Sequence, residues 1–311
     1  AVGTRLQDFI SGSNTLFKGQ VIQLNVQPID VVKYRAQSLL SDARLGLKAL
    51  SSQLGNYMSP EAWQHRNQAG IAAWALLCEG ILPAAYDQVI PSDAQVVAAV
   101  NVTVNDNAVV VAAAGSLPSE LHKHWRAEQV GGYHLEYGYS CMGYEICGGV
   151  GAKLACPDRE VVVMVGDGSY MMMNSDIATA VSMGLKLTIV VLDNRGFSCI
   201  NRLQMATGGA NFNNLLQDTY NKGLAQIDFA GHARAMGAHA DHVANVGELK
   251  QAVQAARQRE GVSVVVIDTD PLHCSPGGAF WEVEVPSVSD REEVVAKHQE
   301  WTAKRIAERG Y

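Results

Sequence analysis

Four short segments of the sequence consist almost entirely of small and branched apolar residues, at 108–114, 161–165, 187–192 and 262–267. Each is short and rich in Val, Ile or Ala, which is typical of strands that are buried on both faces. Segments with helical spacing separate them, and strands that alternate with helices form parallel sheets. The sequence therefore predicts a doubly wound α/β domain whose strands end at one shared edge.

The remaining segments extend this pattern and divide the chain. Strands are also predicted at 133–136 and 238–243, and helices at 93–102, 119–127, 143–155, 173–183, 228–236 and 247–258. Upstream, a strand at 21–26 and a helix at 41–54 precede a polar joint near residue 57. We therefore predict three parts: residues 1–56 as the end of a second α/β domain, 57–285 as the sheet domain, and 286–311 as a helical tail.

Composition excludes several classes of protein. The chain has 24 basic and 31 acidic residues, and neither a Lys/Arg run nor interleaved aromatics suggests a nucleic-acid partner. No continuous apolar run approaches the roughly 18 residues of a spanning helix, so no membrane partner is expected. The six cysteines show neither CxxC pairs nor zinc spacing. Reduced thiols in a cytoplasmic protein are the simplest interpretation.

An acid and an amide follow two consecutive predicted strands. Asp167 lies in Gly166-Asp167-Gly168, directly after the first strand, and Asn194 ends the second. Both should lie at the same sheet edge, where their oxygens suit a hard cation such as Mg²⁺ or Ca²⁺. Gly168 and Ser169 lead into a helix whose free N–H groups favour phosphate. Asp-Gly is also a common turn, so the prediction depends on the combination.

This combination resembles the thiamine-diphosphate-dependent enzymes, in which GDG and a later Asn pair form the signature. The resemblance implies that Asp167, the side chain of Asn194 and the backbone carbonyl of Gly196 bind Mg²⁺, which bridges the diphosphate of the cofactor. Asp193 stands where the first Asn is commoner, but the ligand is the second residue of the pair. The metal site is therefore retained.

Two further segments resemble cofactor-contacting segments of this family. SCMGYEICGGVGA, at 140–152, is similar to the segment whose bulky apolar residue separates the two rings of the cofactor. The resemblance gives this role to Met142, and gives the backbone carbonyl of Ser140 a contact with the 4′-amino group. AAAGSLPSELHKHW, at 112–125, is similar to a loop that touches the diphosphate. Gly115 and Ser116 are its candidate residues.

Within the family, the resemblance is most specific to the branch that hydrolyses trihydroxylated cyclic 1,2-diones in inositol catabolism. Its segments are LHKHWR, EYGYSCMGYEI, GDGSYMMMNSDI, LDNRGFSCINRLQ and PGGAFWEVEVPSVS. The implied substrate is a polyhydroxylated cyclic dione, cleaved to an open-chain deoxy sugar acid. Candidates for its recognition are His122, His124, Arg195 and Arg202. Glu145 is either a mark of this branch or an ordinary carboxylate on a helix surface.

Family membership also implies what lies outside this chain. The family carries a catalytic Glu on a separate N-terminal pyrimidine-binding domain, and this sequence starts within the middle domain. We therefore expect a C-terminal part of a larger enzyme, inactive alone, completed by the N-terminal domain of another subunit in a homodimer or homotetramer. The alternatives are an acetolactate-synthase-like or decarboxylase-like enzyme, and a non-catalytic assembly module. A nicotinamide site at GGVGAKLA is a weaker alternative, since these glycines lie inside a predicted helix.

Overall fold

The structure is a computed structural model that describes residues 1–7, 11–12, 17, 19–85, 89–136, 138–223, 225–276 and 283–309. The chain forms two compact units. The larger, called the sheet unit, comprises Trp74–Ala206 and Ala210–Pro276, and the smaller comprises Ala1–Ala73, Thr207–Gly209 and Gly277–Tyr311. The three predicted domain ranges stay predictions. Residues 277–282, within the predicted segment PGGAFWEVEVPSVS, lie outside the described residues.

The smaller unit contains a two-stranded parallel sheet, formed by β1 (Ile22–Asn25) and β2 (Gln37–Leu40). Helix α1 (Ala43–Leu54) follows, and the side chain of Asp42 caps it by accepting from the N–H groups of Arg44 and Leu45. Strand β2 was not predicted, because all four of its residues are exposed and its sequence QSLL lacks alternation.

Helix α2 (Glu61–Ala85) is long and mostly apolar. By length and composition it could cross a membrane, and 6% of its most apolar stretch is buried. The sequence shows no continuous apolar run of about 18 residues here, because Gln, Asn and Glu interrupt the Ala, Leu and Trp residues. One such helix is weak evidence for a membrane span.

The sheet unit is built on six parallel strands in the order β4-β3-β5-β6-β8-β7. They are β3 (Val109–Ala112), β4 (Tyr133–Leu135), β5 (Val161–Gly166), β6 (Leu187–Asp193), β7 (His239–Val243) and β8 (Val262–Asp268). The helices are α3 (Asp93–Asn101), α4 (Leu117–His124), α5 (Tyr144–Ala155), α6 (Asp167–Met172), α7 (Asp176–Ser182), α8 (Ser198–Ala206), α9 (Phe229–Ala235) and α10 (Val246–Gln258), with α11 (Glu292–Arg309) in the smaller unit. The predicted doubly wound parallel sheet is confirmed.

Alternate strand residues pack on opposite faces of the sheet, as the pleat requires. One face is covered by α5, α7 and α9, and its core includes Val161, Val163, Ile146, Ile177 and Phe229. The other is covered by α3, α4 and α10, and its core includes Val162, Met164, Val97, Leu121 and Leu249. Burying a side chain of this size contributes about 1.5–3 kcal/mol, which explains why the strands are continuous apolar runs.

Two helical regions differ from the prediction. The helix predicted at 173–183 is α7, which begins only at Asp176, and the short helix α6 precedes it, with Asn174 between them donating from Nδ2 to the carbonyl of Tyr170. Helix α6 begins at Asp167 itself. Helix α8 was not predicted, because only its tertiary neighbours distinguish its short polar sequence from a loop.

The strand order places a crevice at one end of the sheet. Strand β3 pairs with β4 on one side and with β5 on the other. The helices after β3 and β5 pack on opposite faces, since Leu121 of α4 belongs to one core and Ile177 of α7 to the other. The chain therefore leaves the two strands in opposite directions at their carboxyl ends. Ligands of open α/β sheets bind at this kind of switch point.

Candidate functional site

Asp167 lies at the carboxyl end of β5 and is the first residue of α6. Its side chain is buried, and Oδ2 accepts a 2.9 Å hydrogen bond from the backbone N–H of Gly196. Gly196 follows β6, which pairs in parallel with β5. The structure thus brings together two of the three predicted metal-binding residues, because adjacent parallel strands end side by side.

The electrostatic environment of Asp167 is unfavourable for an unpaired carboxylate. Burial, and then the negative charge of Asp193, raise the pKa of Asp167 to about 7. Backbone N–H groups of Gly168 and Gly196 oppose this rise but do not cancel it. A divalent cation near the carboxylate would favour its charged form, since a bound ion is the largest local charge in such a site.

Asn194, the second predicted ligand, is also buried and has a free carbonyl oxygen. Its Nδ2 donates to Oγ of Ser198 over 3.0 Å, which fixes the orientation of the amide. Its Oδ1 is buried and has no hydrogen-bond partner in the described part of the chain. A buried polar atom without a partner costs about 1–3 kcal/mol, so this oxygen points to a ligand.

The loop after β6 approaches its neighbours closely at Gly196. This residue has φ 149°, and a Cβ there would lie 2.4 Å from the carbonyl oxygen of Asn214. The N–H of Phe197 donates to that oxygen over 2.7 Å, and the N–H of Leu216 donates to the carbonyl of Arg195 over 2.9 Å. Only glycine fits this paired loop, which holds Gly196 beside Asp167.

These residues fit the predicted cation. A buried carboxylate and an unpartnered amide oxygen, both neutral or anionic oxygen donors, are the ligands that Mg²⁺ prefers. The described residues contain no group of three or more His, Cys, Asp or Glu side chains suited to a metal. Two of the three predicted ligands are instead the amide oxygen of Asn194 and the backbone oxygen of Gly196. The site therefore suits an ion that completes its coordination with water and phosphate oxygens.

The turn that carries Ser140 and Met142 is held in a specific conformation. Ser140 has φ 55° and Gly143 has φ 94°, both in the left-handed region. The carboxylate of Glu136 accepts from the N–H groups of Tyr139, over 3.1 Å, and Cys141, over 2.8 Å. These bonds lower the pKa of Glu136. Met142 therefore sits on a braced turn.

The loop after β3 is linked to the candidate ligand Asn194 by a buried chain of hydrogen-bonded side chains. Oγ of Ser116 donates to Oδ2 of Asp93 over 2.8 Å and lies 3.4 Å from Oγ of Ser198. Ser198 accepts from Asn194, so the chain connects Asp93 to the candidate ligand. Burial raises the pKa of Asp93, a residue that the sequence interpretation missed. Gly115, with φ 91°, turns the loop beside this chain.

Ser169 lies inside the site, but its hydroxyl has an internal partner. Oγ donates to the carboxylate of Glu145, at 2.7 Å and 2.8 Å from its two oxygens. Glu145 is 1% exposed, so the interpretation of Glu145 as a helix-surface residue is wrong. The signal was present in the sequence: the acid opens a helix that is otherwise almost wholly apolar, and such a helix is buried.

The four candidates for substrate recognition are held by separate partners. Arg195 pairs with Asp268 over 3.3 Å, and Arg202 donates to the carbonyl of Pro271 over 2.8 Å. His124 is buried, and its Nε2 lies 2.7 Å from Oγ of Ser275. The ring of His122 packs on that of Tyr133. Arg195 is the candidate at the sheet edge itself, one residue from Asn194.

The glycines of GGVGAKLA lie inside α5 and have a packing role. A Cβ at Gly149 would lie 2.2 Å from Cγ2 of Val163 on β5, so the glycine lets the helix approach the sheet. A dinucleotide fingerprint instead lies between a strand and a helix. This geometry does not support a nicotinamide site.

Comparison with known proteins defines the class of the chain. Residues 113–267 match the family model described as "Thiamine pyrophosphate enzyme, C-terminal TPP binding domain". This range includes β4, β5, β6 and β7 and every candidate metal-binding residue. The chain belongs to the thiamine pyrophosphate enzyme family and carries its C-terminal TPP binding domain.

Curated relatives show which members of this family the chain is similar to. The chain is 34% identical to 3D-(3,5/4)-trihydroxycyclohexane-1,2-dione hydrolase of Geobacillus thermodenitrificans, over 96% of this chain and 51% of the relative. It is also 34% identical to the protein of the same name from Halalkalibacterium halodurans, over 94% of this chain and 50% of the relative. The chain therefore spans about half the length of the curated relatives that it matches.

A solved structure shares the fold. It is a thiamine diphosphate-dependent 4-hydroxybenzoylformate decarboxylase from Rhodococcus jostii RHA1, with a TM-score of 0.62 and 17% identity over 81% of this chain and 44% of that chain. This likeness supports the fold alone. The comparisons confirm the family resemblance and its cofactor, thiamine diphosphate with Mg²⁺. The roles of individual residues stay predictions.

Proposed function

We propose that this chain provides the diphosphate- and Mg²⁺-binding part of a hydrolase that cleaves a C–C bond of a polyhydroxylated cyclic 1,2-dione. The observation that carries the proposal is the 34% identity, along 96% of the chain, to a relative named as a trihydroxycyclohexane-1,2-dione hydrolase. The candidate site lies within this matched length. A bound thiamine diphosphate supplies the electron sink that C–C cleavage needs.

The metal-binding role falls to three residues at the ends of β5 and β6. Asp167 would contribute a carboxylate oxygen, Asn194 its Oδ1 and Gly196 its backbone carbonyl. The unpartnered Oδ1 of Asn194 and the raised pKa of Asp167 support this assignment, because both belong to buried oxygens that a cation would stabilise. The ion would hold the diphosphate at the switch point.

Glycines and serines around the crevice would hold the diphosphate itself. The candidates are Gly115, Ser116, Gly166, Gly168 and Ser169. Since the hydroxyls of Ser116 and Ser169 have buried protein partners, we assign to these two residues backbone N–H contacts with the anion. A Cβ at Gly168 would lie 2.8 Å from the ring of Phe197, so glycine lets the start of α6 pack closely against the loop after β6.

The 140–143 turn would orient the thiazolium and pyrimidine rings. Met142 would separate the rings, and the carbonyl of Ser140 would accept from the 4′-amino group. The left-handed conformation of Ser140, braced by Glu136, supports a turn that presents its backbone to a ligand. Positioning of this kind is the main contribution of a protein to cofactor chemistry.

The proposal extends to the assembly. An N-terminal pyrimidine-binding domain of another subunit would complete the site and supply the catalytic Glu, in a cytoplasmic homodimer or homotetramer. None of the glutamates described above is assigned that role. We expect the 311-residue chain alone to show no turnover. Full turnover by the isolated chain, measured beside the holoenzyme, would contradict this part of the proposal.

The deciding experiment is a substrate comparison with the holoenzyme, in the presence of Mg²⁺ and thiamine diphosphate. We expect ring opening of trihydroxycyclohexane-1,2-dione, followed by NMR, and no turnover of pyruvate or 4-hydroxybenzoylformate. Turnover of a 2-oxo acid without ring opening would favour the synthase or decarboxylase alternative. Absence of cofactor binding in the holoenzyme would favour a non-catalytic module.

A further inference from the structure

Glu145 is a buried carboxylate that none of the roles above uses. It lies in the first turn of α5 and is 1% exposed. Its Oε1 accepts from Oγ of Ser169 over 2.7 Å, and its Oε2 accepts from the same hydroxyl over 2.8 Å and from the N–H of Gly143 over 3.0 Å. The backbone N–H of Ala114 is a further donor to this carboxylate.

These donors come from three different segments of the candidate site. Ala114 precedes the Gly115-Ser116 loop after β3, Gly143 ends the turn that carries Met142, and Ser169 lies on α6 beside Asp167. One side chain therefore connects three segments that are far apart in the sequence.

The turn and α6 are in contact at a second point. The N–H of Gly143 also donates to Oγ of Ser169 over 2.7 Å. A Cβ at Gly143 would lie 2.9 Å from Cβ of Met173, directly after α6. The distance between the Met142 turn and α6 is therefore set by the close packing of Gly143 against Ser169 and Met173.

Burying a carboxylate at this position costs free energy unless several hydrogen-bond donors surround its oxygens. Burial raises the pKa of Glu145, against hydrogen bonds from Ser169, Gly143 and Ala114 that lower it. An ionised carboxylate is acceptor-only, and here three donors converge on it. A glutamine of the same size would turn an NH₂ group toward one of those donors, and a leucine would remove the acceptor that all three share.

We propose that Glu145 is a positioning residue, which fixes the Met142 turn relative to the diphosphate-binding helix through Gly143 and Ser169. It acts on the geometry of the bound cofactor and does not touch the substrate. This inference rests on the proposed function, since it assigns Met142 and α6 to the two ends of one cofactor.

The test compares Glu145→Gln with the wild-type holoenzyme. We expect the variant to fold, its Kd for thiamine diphosphate at saturating Mg²⁺ to rise about tenfold, and the near-UV circular dichroism of the bound cofactor to change. We expect kcat to fall while the KM for the dione stays within about twofold of wild type, because Glu145 does not contact substrate. Glu145→Asp, which keeps the charge, should recover part of the affinity.

A matched control is Glu160→Gln. Glu160 lies directly before β5, at the amino-terminal end of the strand and away from the candidate site. Its carboxylate accepts from the N–H of Asn105 over 2.9 Å and pairs with Arg257. This control should lower thermal stability without changing the Kd or the circular dichroism of the cofactor. If Glu145→Gln behaves like Glu160→Gln in all three measurements, the positioning role is overturned.

Ser169→Ala gives a second, milder route to the same answer if Glu145→Gln does not fold. It removes the shared hydroxyl and leaves the carboxylate in place, so the affinity and spectrum should change in the same direction but less. An unchanged affinity and spectrum would overturn the proposal. Asp167→Asn separates this failure from failure of the proposed function: loss of cofactor affinity in Asp167→Asn alone leaves the function standing, while wild-type affinity there contradicts the function itself.

Discussion

The backbone N–H of Gly196 donates to Oδ2 of Asp167 across 2.9 Å, which ties the loop after β6 to the carboxylate after β5. The two residues follow adjacent parallel strands, so the bond lies at the carboxyl end of the sheet, beside the switch point between β3 and β5. The Oδ1 of Asn194, two residues before Gly196, is buried and has no hydrogen-bond partner among the described residues. It therefore defines where the cation and its diphosphate are expected.

Asp167→Asn should separate the folding role of this residue from its metal-binding role. Asparagine can still accept from Gly196, and it removes a carboxylate whose pKa burial has raised. We expect the cofactor-free protein to unfold at the same temperature or higher, while the Mg²⁺-dependent affinity for thiamine diphosphate falls by more than about a hundredfold. Thermal scans and calorimetric titration check the two parts.

The control for that substitution is Asp241→Asn, since Asp241 is an exposed carboxylate paired with Arg259 over 3.2 Å. Its affinity should match wild type. A wild-type affinity in Asp167→Asn would remove Asp167 from the metal site.

Gly196→Ala should unfold the loop that carries the third predicted ligand. The added Cβ would lie 2.4 Å from a backbone oxygen, at a φ of 149° that alanine rarely adopts. We expect a loss of about 3 kcal/mol in unfolding free energy. Gly184→Ala is the matched control, because Gly184 also has a positive φ, 64°, but open space at its Cβ; it should cost about 1 kcal/mol. Equal losses in urea unfolding would show that the close approach does not matter.

Ser198→Ala should weaken Mg²⁺ binding although it replaces none of the predicted ligands. The substitution removes the acceptor that orients Nδ2 of Asn194, so Oδ1 is no longer held toward the site. We expect the Mg²⁺ requirement for thiamine diphosphate binding to rise about tenfold. Ser263→Ala is the control: its hydroxyl is buried without a hydrogen-bond partner among the described residues, so its removal should leave the requirement unchanged. The same Mg²⁺ titration for both variants would contradict the orienting role.

Glu120→Gln tests the acid dependence of the sheet unit. Burial alone would raise the pKa of Glu120, but hydrogen bonds from His124, Lys123 and Ser275 outweigh it and lower the pKa below its ordinary value of 4.5. The charged form therefore stabilises the fold above that value, and this contribution is lost as the pH falls through the lowered pKa. We expect the variant to be about 3 kcal/mol less stable at neutral pH, with the difference shrinking below about pH 4.5.

Urea unfolding of wild type and variant over a series of pH values measures this effect. A stability difference that stays constant from about pH 7 down to about pH 2 would show that the charge of Glu120 is not what stabilises the cluster.

The sequence by itself determined the fold class and predicted a candidate metal-binding pair. Long apolar strands such as Val161–Gly166 can only be buried on both faces, and that burial requires helices between them. Since parallel strands end on one side of a sheet, Asp167 and Asn194 were expected at the same end of it once both were placed after strands. The family motifs then added Gly196, Met142 and Ser140 as expectations.

The tertiary structure decided which side chains orient those residues. Ser116, after β3, contacts both Asp93 and Ser198 because the strand order β3-β5-β6 brings the loops after β3 and β6 to the same end of the sheet. In the sequence, Glu145 is only an acid in the first turn of a helix. That it accepts hydrogen bonds from both Ser169 and Gly143 follows from the packing of α5 on the sheet. Periodicity reports which face of an element is buried, whereas contacts between distant segments depend on strand order and on crossovers that leave no local pattern.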